Sequence, residues 1–166
     1  MHRKGHIGAA LAACAPTAFV AVVVAPPALA FIGGATTFGL AMLPDLDQKL
    51  PFVDHRGVTH TIHFAGVVGW FLGLAGIVFG TTVGIWTAIG LGVFGFVVGF
   101  VTILSHIAAD ALTPMGVEPF RDGRHYSFDP VKAANPIGNY LLLGIGVVAV
   151  ALAYVVGVTV AGILEM

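Results

Sequence analysis

Charge is scarce in this chain. Lys, Arg, Asp and Glu together make up 9% of its 166 residues, and the formal net charge is −1. With a pI near 6.6 this excludes nucleic acid as the main partner, because phosphate backbones are held by clustered Lys and Arg. A single cysteine, Cys14, excludes an internal disulfide, and its apolar surroundings mark it as a packed, unreactive thiol. No Asp, Glu, Lys or Arg occurs anywhere in residues 62–105. Hydrophobic residues reach 58% and mean hydropathy is +0.99, so too little polar side chain remains to cover a water-facing surface. The expectation is an all-α polytopic membrane protein, one integral membrane domain over residues 1–166.

Proline and glycine divide the apolar runs. Residues 7–24 give a first helix of about 27 Å, closed by Pro26-Pro27, which cannot continue it. Arg3 and Lys4 before it and Ala28-Leu29-Ala30 after it imitate a secretory signal, but the segment is read as a retained membrane helix. A second, shorter helix covers 28–43 and stops at Pro44; a third covers 60–80. The fourth, 83–112, would be about 45 Å long, more than a hydrocarbon core of ~30 Å, so its last turns should emerge toward the headgroups. Residues 117–120 and 125–128 flank Asp122-Gly123 as a small hairpin, and Asn135-Pro136 reads as the cap and first residue of a fifth helix, 137–164. No internal repeat is evident.

Five spans put the N-terminus and the loops 44–59 and 113–136 on one side. All seven Lys and Arg (Arg3, Lys4, Lys49, Arg56, Arg121, Arg124, Lys132) fall in those segments. By the positive-inside rule that side is cytoplasmic. The scarce acids and imidazoles gather there too. Residues 44–63 hold three aspartates and three histidines. His6 precedes helix 1, Asp45 and Asp47 follow helix 2, and His55 and His60 lead into helix 3. His106 and Asp110 share one face near the end of helix 4 at i, i+4. Carboxylate and imidazole are ligands for Zn²⁺, Mn²⁺ and Fe²⁺, and ionisable groups at membrane depth are costly enough to mark function. Asp54 and His2 read as ordinary polar positions, and Arg121, Arg124 and His125 as exposed interface residues.

The pieces form a recognisable set. Gly5-His6, Leu43-Pro44-Asp45-Leu46-Asp47, His55-Arg56-Gly57-Val58-Thr59-His60 and the run from Ser105-His106 through Asp110 to Thr113-Pro114-Met115-Gly116-Val117 resemble, in order, the YdjM-like inner-membrane metal-dependent hydrolases. The resemblance covers about residues 5–120. It implies a prokaryotic inner-membrane location and a remote kinship to zinc-dependent phospholipase C and nuclease P1 proteins, which cleave phosphoesters at clustered zinc ions. Two positions depart from the pattern: Gln48 stands where a His often follows the Asp pair, and Thr61 where Ser is usual. His63, three residues past His60, is a candidate replacement for the missing imidazole.

His6, Asp45, Asp47, His55, His60, His106 and Asp110 are more ligands than one tetrahedral ion needs. They suit two or three divalent ions, zinc first and manganese or iron as alternatives. Asp45, Asp47 and Arg56 are the candidate catalytic residues, the acids as proton acceptors and Arg56 as a bidentate phosphate or carboxylate grip. The leading expectation is a hydrolase of lipid-like or phosphoester substrates, with membrane lipids as its surroundings. A metal transporter and a non-catalytic protein using metal to tie helix ends together are the alternatives, and Gly-rich helix faces permit self-association.

Overall fold

A computed structural model describes residues 1–130 and 132–165. It is all-helical: α1 (Arg3–Val24), α2 (Pro27–Leu40), α3 (Ile62–Thr81), α4 (Ile85–Ala111) and α5 (Pro136–Leu164), with 3₁₀ turns at Pro44–Lys49 and Val58–His60. All five long elements, α2 counted with its following turn to Lys49, are long and apolar enough to cross a membrane. Large side chains point outward, as lipid-facing residues must: Trp86 is 81% exposed and Phe71 60%. The chain is therefore a multi-pass membrane protein.

α3 lies along α4, α1 along α5, and α1 and α2 both rest on α4. Small residues make these approaches possible. A β-carbon at Gly69 would stand 2.9 Å from the Phe96 carbonyl oxygen, and one at Gly73 would stand 3.1 Å from that of Gly92. Gly8 of α1 and Gly146 of α5 meet backbone to backbone in the same way. Both polar caps are local. The Thr61 side chain accepts from Phe64 N at 3.1 Å to start α3, and Asn135 accepts from Ile137 N at 3.0 Å to start α5. Thr61 thus fills its place as Ser would.

Two expectations change. α2 ends at Leu40, three residues early, because Pro44 has no N–H to offer the Leu40 carbonyl and Leu43 N bonds it instead at 2.9 Å; the orphan carbonyl of Ala41 then accepts from His106 Nδ1 at 2.7 Å. The hairpin shrinks to one antiparallel bridge, Val117 with Tyr126. Its remaining backbone groups bond elsewhere: Pro119 O accepts from Ile62 N at 3.1 Å, and Ala111 O from Phe128 N at 2.9 Å. These contacts fasten the 112–128 segment to the starts and ends of α3 and α4. The N-terminus, the 44–60 segment and the 112–130 segment consequently meet at one end of the bundle, above an apolar floor of Ala65, Ile103, Ile107, Ala111 and Val117.

Candidate metal centre

Each donor reaches that end by a local device. α4 runs long enough to carry His106 and Asp110 to that end of the bundle, and both are buried. The 3₁₀ turn after α2 turns Asp47 inward, 1% exposed, and leaves Asp45 at the edge with its side chain 12% exposed. The turn before α3 buries His60. Arg56 precedes it with φ 60°, a left-handed conformation a non-glycine residue holds only when its surroundings impose it.

Asp45, His60, His106 and Asp110 offer ligand atoms that all lie within 4.8 Å of one another. His60 Nε2 stands 3.6 Å from Asp45 Oδ1 and 3.5 Å from Asp110 Oδ2. His106 Nε2 stands 3.6 Å and 3.8 Å from the same two oxygens. Bonds of ~2.1 Å to a tetrahedral ion would set ligand atoms about 3.4 Å apart, close to what is found. Three of these atoms, His60 Nε2, His106 Nε2 and Asp110 Oδ2, are buried with no hydrogen-bond partner among the described residues. Such groups are rare in folded proteins because each forfeits its hydration. A cation is the partner their chemistry fits.

The surroundings leave those atoms free. His106 donates its Nδ1 proton to Ala41 O, which puts the lone pair on Nε2. His60 Nδ1 lies 3.0 Å from Thr59 Oγ1, and that hydroxyl donates to Asp47 Oδ2 at 2.7 Å, so the other ring nitrogen again faces the group. Asp110 Oδ1 is taken by Arg56 Nη2 at 3.0 Å and by the Met1 amino group at 2.5 Å, leaving Oδ2. Burial pushes the His60 imidazolium pKa down, but hydrogen bonds to Asp110 and Asp45 and the charges of Asp110 and Asp47 outweigh it. The net direction is upward.

The other expected residues take different places. His6, buried, stacks on His106 with centroids 3.7 Å apart, its Nε2 3.4 Å from Asp110 Oδ1 and 4.0 Å from Asp45 Oδ2. Asp47, His55 and His60 form a second compact group. Its members are already bonded: Asp47 Oδ1 faces His55 Nδ1 at 2.9 Å, and its Oδ2 accepts from Arg56 N at 3.1 Å besides Thr59. Arg56 spends its guanidinium on Asp110 and on Gly116 O, 2.7 Å from Nη1. His63 is exposed as the second residue of α3 and does not replace the imidazole missing at Gln48, since the extended backbone of Thr61 between the 3₁₀ turn and α3 breaks the helical i, i+3 relation to His60. His2 is exposed, and His125, half exposed, lies 3.9 Å from Glu118.

Sequence reasoning missed the Met1 amino group and the Ala41 carbonyl. Only the last left a trace, in the proline that ends α2 three residues later. Compared with protein families, the chain matches over residues 1–164 the model described as YdjM inner membrane protein. No curated protein and no solved structure gives a match.

Proposed function

The chain belongs to the YdjM inner membrane protein family, and from that premise we propose that it is a membrane-embedded, metal-dependent hydrolase of phosphoester or lipid-like substrates. The observation that carries this reading is the buried four-donor group with three unpartnered donor atoms. Asp45, His60, His106 and Asp110 would hold the ion, zinc being the first candidate for two imidazoles and two carboxylates. A divalent ion supplies Lewis acidity there, lowering the pKa of water and drawing charge from a phosphoryl or carbonyl oxygen.

The residues divide the remaining work. Asp45, the member of the four at the edge, turns Oδ1 toward the imidazoles of His60 and His106, and its other oxygen, Oδ2, is the proton carrier. Hydrolysis adds a hydroxyl to phosphorus and a proton to the departing alcohol, and the Asp45 carboxylate passes that proton from the one to the other. Arg56 is a positioning residue that fixes Asp110. Asp47, through Thr59 and His55, orients the imidazoles. A second ion would take the Asp47, His55 and His60 group at the expense of hydrogen bonds already made there.

All seven Lys and Arg sit in the segments at this end of the bundle, which supports a cytoplasmic location for the centre. Transport of the ion finds less support, since the central turns of α3, α4 and α5 carry no acid.

The test is elemental analysis of purified protein, wild type beside His106→Ala and Asp110→Ala, followed by incubation of the loaded protein with phospholipids and soluble phosphoesters. Stoichiometric metal in the wild type, lost in both variants, and metal-dependent release of alcohol or phosphate are expected. Metal retained by both folded variants would remove the centre. Metal bound without turnover across the panel would leave a purely structural ion.

A further inference from the structure

We propose that the cleft between the start of α1 and the turn after α2 is the mouth through which a lipid with an anionic phosphate headgroup reaches Asp45, its acyl chain lying over Phe38 and Met42. The proposal rests on the hydrolase reading and narrows its substrate.

The cleft measures about 640 Å³ and is lined by Asp45, the one member of the four-donor group that touches it. Arg3 and Lys49 stand on its walls, both exposed. Neither side chain has a hydrogen-bond or ion-pair partner among the described residues. Their neighbours behave differently: Lys4 is held by the hydroxyl and ring face of Tyr140 on α5, and Arg56 by Asp110. Two uncommitted cations beside a buried polar centre complement an anion, and phosphate is the anion they suit.

The apolar part of the cleft selects an amphiphile over a soluble ester. Phe38 is 52% exposed and Leu46 45%, and with Met42 they extend from Asp45 down a segment apolar enough to cross a membrane. Gly39 keeps the wall open, as a β-carbon there would meet nothing within 4 Å. Cations at the headgroup level over an apolar track match a lipid lying with its head at the centre and its tail among the acyl chains.

The other openings fit less well. A cleft of about 280 Å³ at His55, lined by Arg56, Arg121, His125 and Glu118, is less than half the size and gives onto donors already bonded. Another, about 730 Å³ between α1 and α4 far from the centre, has no charged residue on its walls.

The experiment uses the full chain, metal-free, in nanodiscs of phosphatidylcholine doped with phosphatidic acid bearing a photoreactive group on its acyl chain. Adducts are mapped by peptide mass spectrometry and normalised to those on the outer face of α5. Adducts concentrated on residues 38–46 are expected, reduced about tenfold or more by Arg3→Gln with Lys49→Gln. Gly39→Leu, which fills the cleft and leaves both cations in place, should reduce them as well. Adducts spread evenly over α2 and α5 and indifferent to both variants would overturn the proposal. Inorganic phosphate competing as well as the lipid would overturn the amphiphile. Labelling needs no turnover, so cross-linking without hydrolysis counts against the hydrolase alone, and hydrolysis without cross-linking counts against this cleft alone.

Discussion

Replacing Asp47 by Asn separates holding an ion from orienting the residues that hold it. The carboxylate receives three donors: His55 Nδ1 at 2.9 Å on Oδ1, and Thr59 Oγ1 at 2.7 Å with Arg56 N at 3.1 Å on Oδ2. Asn keeps the shape and one acceptor oxygen, but its amide nitrogen has only protons to present. If the amide nitrogen replaces Oδ1, His55 must move its proton to Nε2 and accept through Nδ1, exchanging a charge-assisted bond for a neutral one; if it replaces Oδ2, the Thr59 and Arg56 contacts are lost. Bonds to a charged acceptor are worth about 1.5–3 kcal/mol each, part of which local relaxation recovers. Loss of an outer partner of a ligating imidazole weakens metal binding by roughly 10–100-fold, or about 1.4–2.8 kcal/mol. The assay is competitive titration of zinc against a chromophoric chelator for wild type, Asp47→Asn and His106→Ala. Asp47→Asn should fall between the other two, with His106→Ala losing measurable binding. Affinity equal to wild type would make Asp47 idle, and affinity as poor as that of His106→Ala would make it a direct ligand.

Other outcomes follow from packing and capping. Gly69→Ala forces a β-carbon to 2.9 Å from the Phe96 carbonyl oxygen, whereas Gly66→Ala, one turn earlier on α3, meets nothing within 4 Å. Thermal melts in detergent should show the first destabilised by about 1–3 kcal/mol and the second neutral or stabilised by up to about 1 kcal/mol. Thr61→Ala removes the acceptor for Phe64 N and should cost about 1 kcal/mol, while Thr61→Ser should stay near wild type in the same melts.

The division of the chain into five helices was legible because lipid demands uninterrupted apolar length, and proline and glycine are the only breaks in it. Residue ends were less legible. α2 tightens and stops three residues before the expected end, and the carbonyl this leaves at Ala41 finds its partner in His106, 65 residues away. The hairpin failed for a related reason. Asp122-Gly123 signals a turn correctly, but the flanking backbone finds better partners in Ile62 and Ala111 than in its own opposite strand. Within the site, residue type and helix-end placement named His60, His106, Asp45 and Asp110. Spacing could not tell Asp47 from Asp45. That difference depends on which donors crowd each carboxylate: Thr59, His55 and the Arg56 amide surround Asp47, and Asp45 faces ring nitrogens.

The charge balance of the centre leads to the last prediction. Three carboxylates, Asp45, Asp47 and Asp110, meet there, and one guanidinium, Arg56, answers them directly. With the histidines neutral this leaves two negative charges, or one if the Met1 amino group beside Asp110 is counted. Buried charge without a counter-charge is expensive, so the metal-free protein recovers part of the deficit with a proton, and His60 is the imidazole whose pKa is raised. A group whose pKa is raised by folding lends stability that is complete below its unfolded value of ~6.5 and disappears as pH rises through the folded value. The metal-free protein should therefore weaken on going from mildly acidic to alkaline pH. Metal needs neutral imidazole, so its binding strengthens over the same interval and expels the His60 proton. Thermal midpoints against pH, with chelator and with zinc, should diverge as pH rises, and calorimetry in buffers of different ionisation heat should register a released proton near the low end. Parallel curves and no proton release would show that ion and proton do not compete for His60, and the four-donor assignment would fall with them.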